Sequence, residues 1–254
     1  MSLNIEQALE MQERYQASDD VRKALGGTAL IAFVGPTATG KNFLMHASGL
    51  HIAGTETTRG KRESDDPVKY RYSSVDDMLG AIESRHMVQY GVAPPHIYAS
   101  RLQDYQLDRP NVSDIWFDAV HPLHNKGFST IRMISVLTRK EQYKARLEMR
   151  LDGMQVHDAL KRLDNDRYSL RWTIAQLASQ NPNHLVIMND ADTSDDVETV
   201  SNVDQNAQKI HDFAHGKSID NPDEDLVAMV IDEMHALLQS KYGNPKRLDL
   251  RASS

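Results

Sequence analysis

The stretch "AFVGPTATGKNFLMHA", Ala32 to Ala47, decides how this chain is read. Gly35, Gly40 and Lys41 stand at the G-x4-G-K spacing of a phosphate-binding loop. The segment before it, "TALIAFVG", is a short continuous apolar run, as expected of a strand buried on both faces of a parallel sheet. The segment after it, "KNFLMHASGL", is helix-like, so the order is strand, glycine loop, helix. Along Gly35, Thr37, Ala38, Thr39 and Gly40 the backbone can wrap so that amide N–H groups point at phosphate oxygens, and the helix adds its positive N-terminal end. Lys41 would reach the β- and γ-phosphates as a point charge. Asn42 stands where a Ser or Thr hydroxyl normally meets magnesium; its amide oxygen can take a hard cation directly or through water.

Bulk properties bound what surrounds this loop. The chain has 254 residues, a formal charge of -7 and no cysteine. Its length allows a sizeable core. The acidic balance argues against nonspecific binding to nucleic acid or anionic membranes, while leaving room for a local basic pocket. Without cysteine there is no disulfide, thiolate zinc site or cysteine nucleophile. The N-terminal "MSLNIEQALEMQERYQ" lacks the apolar centre of a signal peptide, and the best apolar run, Ala29 to Val34, is far too short to span a bilayer. A soluble, cytoplasmic protein with no nucleic-acid or membrane partner is expected.

Further along, Asn4 to Leu25 reads as one or two polar amphipathic helices ending at Gly26-Gly27. "TETTRGKRES", from Thr55, reads as a basic loop, and "VKYRYSS" alternates like a strand. Ser74 and Asp77 form a capping-box pattern at the head of a helix. "SDIWFDAV" and "STIRMISVLT" are further buried-strand candidates, and Thr138 with Glu141 marks another helix start. A long helical region, about 139–179, should break near Gly153. "HLVIMND" is an apolar strand with a polar tip, Ala191 to Gln205 an exposed loop leading into a helix, and "DEDLVAMVIDEMHALLQSKYG" an amphipathic helix closed by Gly243 and followed by a basic tail. "HPLH", His121 to His124, lacks further ligands for a metal, and the eleven methionines read as core filler. Strands alternating with helices predict an α/β fold with a mainly parallel sheet.

Five pieces in order carry a family resemblance. The segment "TETTRGKRESDDPVKYRY" resembles the part of guanylate kinases that clamps a monophosphate, with Thr55, Thr57-Thr58-Arg59, Arg62 and Tyr70 at the matching positions. Continuing from Tyr70, Gln89, Tyr98 and Ser100 fall on the family's next binding positions, and Asp118 on an aspartate in the strand after the clamp. "RLEMR" and "KRL" are similar to the lid motif and put arginines at Arg146, Arg150 and Arg162. "VIMND" resembles the strand-end pair that lies near the adenine of ATP, here Asn189-Asp190.

The resemblance, which spans Thr28 to Gly216, implies a P-loop nucleoside monophosphate kinase-like architecture with a sheet of about five strands. The core would comprise about 27–54, 101–139 and 167–216, the monophosphate clamp 55–100 and a helical lid 140–166, with helical extensions at 1–26 and 217–254. It implies transfer of the γ-phosphoryl of ATP, with Mg2+, to a nucleoside monophosphate, GMP or dGMP first. Lys41, Arg146, Arg150 and Arg162 would neutralise the transferring group. Thr55, Arg59, Arg62, Tyr70, Gln89, Tyr98, Ser100 and Asp118 would hold the acceptor, and Asn189 would join the loop residues on ATP.

The chain departs from the family at Asn42, at Gln89 in place of a glutamate and at Val120 in place of a second aspartate. Gln89 cannot accept both guanine donors as a carboxylate does, and a mismatched buried donor costs about 1–3 kcal/mol. Two other functions stay open: a guanylate kinase-like protein-interaction domain without catalysis, and a P-loop kinase of another small phosphorylated acceptor.

Overall fold

A computed structural model describes residues 3–63, 65–190 and 197–242, apart from the side chains of residues 118, 121, 197–201, 241 and 242. Of the loop expected over Ala191 to Gln205, residues 191–196 lie outside these, as do the side chain of His121 and the tail from Gly243; residues 197–205 are helical, not loop. The fold is α/β. Its elements run α1 (Ile5–Met11), α2 (Asp19–Ala24), β1 (Ala29–Val34), α3 (Lys41–Ala47), β2 (His51–Ile52), β3 (Thr55–Thr57) and β4 (Tyr70–Tyr72). Then come α4 (Val75–Glu83), β5 (Met87–Ala93), β6 (His96–Arg101), β7 (Asn111–Asp114), α5 (Val120–Leu123) and β8 (Thr130–Leu137). The last are α6 (Lys140–Leu151), α7 (Val156–Ala178), β9 (His184–Met188), α8 (Val197–Ala214) and α9 (Glu224–Tyr242).

Five strands form a parallel sheet in the order β2-β7-β1-β8-β9. At its centre β1 is buried from Leu30 onward, which is why its sequence is unbroken apolar rather than alternating. A second sheet, β4-β3-β6-β5, mixes a parallel β3–β4 pair with antiparallel β3–β6 and β5–β6 pairs.

Two compact units divide the chain: a first of Met1–Ala32 and Leu50–Arg132, and a second of Phe33–Gly49 and Met133–Ser254. In the first unit the N-terminal segment covers β5, an edge strand. Gln12 accepts from Val92 N (2.8 Å), Tyr15 hydroxyl donates to Met87 O and Tyr90 hydroxyl to Ala8 O (both 2.8 Å). Bonding its free edge this way removes a template for unwanted strand pairing. In the second unit α9 presents Val227, Val230, Ile231, Met234, Leu237 and Leu238, spaced to form one stripe, to a core with Tyr143, Leu147, Leu151, Leu163 and Leu170.

Three further expectations need correction. "TETTRGKRES" is not all loop: Thr55–Thr57 pairs with both β4 and β6, so partners on each side override its polar composition. "SDIWFDAV" gives a strand only to Asp114, after which Phe117–Ala119 makes a 3-10 turn and Val120–Leu123 a short helix. Thr138 does not cap α6; its hydroxyl donates to Gln142 Oε1 (2.9 Å) and Arg139 is the N-cap, without a side-chain bond.

A polar thread crosses the second unit. His184 Nε2 lies 2.8 Å from Ser135 Oγ, which lies 2.9 Å from Thr173 Oγ1, and Thr173 donates to Ser169 O. His184 Nδ1 is buried with no hydrogen-bond partner among the described residues. Burial therefore lowers the imidazole pKa to about 4. A base depressed in the folded state contributes stability that is full above its unfolded value, near 6.5, and is lost as pH falls toward 4. Urea titrations should show a loss of about 2–3 kcal/mol over that interval, absent from His184→Gln.

Candidate functional site

In the second unit the loop after β1 turns back on itself. Gly35 has φ +128, and a Cβ there would meet Val136 O at 2.8 Å, so only glycine lets the loop leave the strand this close to β8. Gly40, with φ +88, is the N-cap of α3, and its Cβ would sit 2.2 Å from Asn189 Nδ2 and 3.8 Å from Arg146 Nη1. Between them Ala38 also has positive φ (+64) and Thr39 hydroxyl donates to Pro36 O (3.0 Å). Lys41 Nζ donates to Gly35 O and Pro36 O, both at 2.8 Å.

Three residues distant in sequence meet this loop. Asn189, 2% exposed at the end of β9, donates from Nδ2 to Thr39 O (2.8 Å). That bond ties Asn189 to the loop. Arg162 Nη1 donates to Thr37 Oγ1 (3.2 Å). Arg146, partly buried on α6, lies beside Gly40, whereas Arg150, one turn on, is exposed. Asn42 is exposed on the first turn of α3.

Sequence reading passed over Asp166. Its buried carboxylate accepts Thr37 N (2.7 Å) and the hydroxyl of Tyr143 (2.9 Å). Burial raises its pKa, opposed by the Thr37 N–H, Lys41, Tyr143 and Arg162. The available signal was the four-residue spacing from Arg162, which puts both on one face of α7.

In the first unit the four-stranded sheet sorts its residues by parity. Directly opposed residues share a face, and so do alternate residues along a strand. Thr55 opposes Tyr70, Thr57 opposes both Tyr72 and Tyr98, and Gln89 opposes Ser100. Thr55, Tyr70, Gln89, Tyr98 and Ser100 therefore lie on one face. Glu56, Arg71 and Arg101 lie on the other, where Arg101 Nε meets Glu56 Oε2 at 2.5 Å and Arg71 pairs with Asp104. The Arg101 hydrogen bonds hold Glu56 down to a pKa of about 2.

On the first face Arg59 stacks over the Tyr70 ring, 4.8 Å from its centroid. Its guanidinium is occupied: Nη1 and Nη2 each donate to one oxygen of Asp65 at 2.6 Å, with the two side chains only 5% and 7% exposed. Arg62 is exposed and contributes its backbone N–H to Asp65 (2.8 Å). Ser100 Oγ lies 2.8 Å from the buried Tyr105 hydroxyl, which Gln89 also approaches. The side chain of Asp118 lies outside the described residues, and Val120 is buried.

Among the described residues no cluster of three or more His, Asp or Glu could hold a metal, and no helix is long and apolar enough to cross a membrane. No family model and no curated protein matches the chain. Among solved structures, a guanylate kinase from Anaplasma phagocytophilum is similar to it at TM-score 0.45 and 12% identity, over 87% of this chain and 98% of that one.

Proposed function

We propose that the chain is a phosphoryl-transfer enzyme that moves the γ-phosphoryl of ATP to a nucleoside monophosphate. The observation that carries the reading is the loop from Gly35 to Lys41, whose two glycines hold conformations and clearances that a Cβ would destroy, with Arg146 and Arg162 against it. Main-chain amides at a helix start and several cations are what a polyphosphate requires. Lys41, Arg146 and Arg162 would neutralise charge on the transferring group, with Arg150 joining them from the exposed end of α6. Asn42 would offer one oxygen to Mg2+, which when bound draws charge from the β- and γ-oxygens.

In the first unit Arg59, Arg62, Tyr70 and Tyr98 would hold the acceptor phosphate, and Thr55, Gln89, Ser100 and Asp118 the rest of the acceptor. Transfer needs the acceptor oxygen in line with the γ-phosphorus, so positioning and charge carry the catalysis. Arg59 suits the task because its planar fork grips two phosphate oxygens at once. The acceptor phosphate is itself the nucleophile, so no general base is required.

The test is ADP release from ATP and Mg2+ with a panel of ribo- and deoxynucleoside monophosphates, GMP and dGMP first. Turnover with at least one acceptor is expected; none with any, alongside nucleotide binding, would favour a non-catalytic interaction domain. That second reading draws on Asp65 occupying the fork of Arg59. The loop has its own test. Gly40→Ala should weaken ATP binding about tenfold by calorimetry, because the new methyl drives Asn189 off Thr39 and sits at an unfavourable φ.

A further inference from the structure

Asp65 collects an unusual set of donors. Its two oxygens accept four hydrogen bonds: two from the Arg59 fork, one from the Tyr72 hydroxyl (2.6 Å) and one from Arg62 N (2.8 Å). A guanidinium fork, a phenol and a main-chain amide on one small anion are what a phosphate monoester would recruit. The other two buried carboxylates of this sheet region, Glu56 and Asp104, are tied to Arg101 and Arg71. Asp65 alone among these three sits on Arg59.

We propose that Asp65 sets the affinity of the acceptor site, as a resident counter-anion that an incoming phosphate must displace from Arg59. This rests on the reading of Arg59 as an acceptor-phosphate ligand. A carboxylate offers one charge and two oxygens. A phosphate monoester offers about 1.5 to 2 charges and three oxygens at neutral pH, so it wins the exchange. A nucleoside, a phosphodiester or a free carboxylate brings no surplus charge and leaves Asp65 seated. Displacement costs every such anion the same factor, so Asp65 sets a threshold: at a given concentration only an anion that grips Arg59 strongly empties its fork. Asp65 follows the exposed residues Gly60 to Glu63, and it belongs to no strand, so its side chain can leave without breaking a β-ladder.

The experiment measures binding of inorganic phosphate and of GMP to the full chain by calorimetry, for wild type, Asp65→Asn and the double variant Arg59→Ala/Asp65→Asn. Asp65→Asn should bind both probes about tenfold more tightly, and the double variant should lose the gain. Thermal melts confirm folding, and Asp65→Ser replaces the asparagine variant if that one is unfolded. If wild type binds GMP and the folded Asp65 variant binds it no better, the proposal is overturned while the acceptor reading stands. If neither protein binds either probe and no monophosphate supports ADP release, the acceptor reading fails and takes the proposal with it.

Discussion

Lys41→Ala is expected to lower ADP release by about 10²–10³-fold, the scale on which one positioned charge or donor at a transition state acts. Lys41 opens α3, immediately after Gly40, and its ammonium spans the loop to the carbonyls of Gly35 and Pro36. Two effects follow from its removal and can be separated. The loop loses two hydrogen bonds, which loosens ATP and raises its KM. The transferring group loses a cation, which lowers kcat. A variant that melts like wild type and shows the kcat loss supports the kinase reading. Undiminished turnover in a folded Lys41→Ala protein would end it.

The second large effect is on stability. Arg59→Ala should cost about 1–3 kcal/mol, because it removes the paired charge-assisted bonds to Asp65 and the stacking on Tyr70. Desolvating an unpaired charge is costly, whereas removing both partners together is nearly neutral. Chemical denaturation of the Arg59→Ala/Asp65→Asn double variant should therefore recover most of the loss. Additive losses would mean that the two side chains do not depend on one another, contrary to their paired 2.6 Å bonds.

How much of this was legible beforehand follows from how local each signal is. The strand at Ala29–Val34, the turn glycines and the helix from Lys41 are contiguous, and apolar run, glycine spacing and helix start all point the same way. The break near Gly153 is likewise local and lies between α6 and α7. The four-stranded sheet was legible only in part: "VKYRYSS" alternates like a strand and supplies β4, whereas β3 is three largely polar residues whose stability comes from partners brought in by the chain's later course. Asp166 and Asp65 escaped notice for a related reason. An acid in a charged stretch reads as solvated until its donors are known, and Thr37 lies 129 residues from Asp166. Asn189 was noticed by resemblance, but its bond to Thr39 is a matter of packing.

The two-sidedness of that small sheet limits how the protein can be altered. Along β6 Tyr98 and Ser100 alternate with Ala99 and Arg101, so the face we propose for the acceptor alternates with the face that carries the Arg101–Glu56 pair. Losing or gaining one residue within the strand would exchange the two faces, sending Arg101 to the side of Tyr70 and Tyr98 among the carboxylates. If this face holds an acceptor as proposed, its preferences would be altered by replacing side chains in place and not by changing the length of the strand.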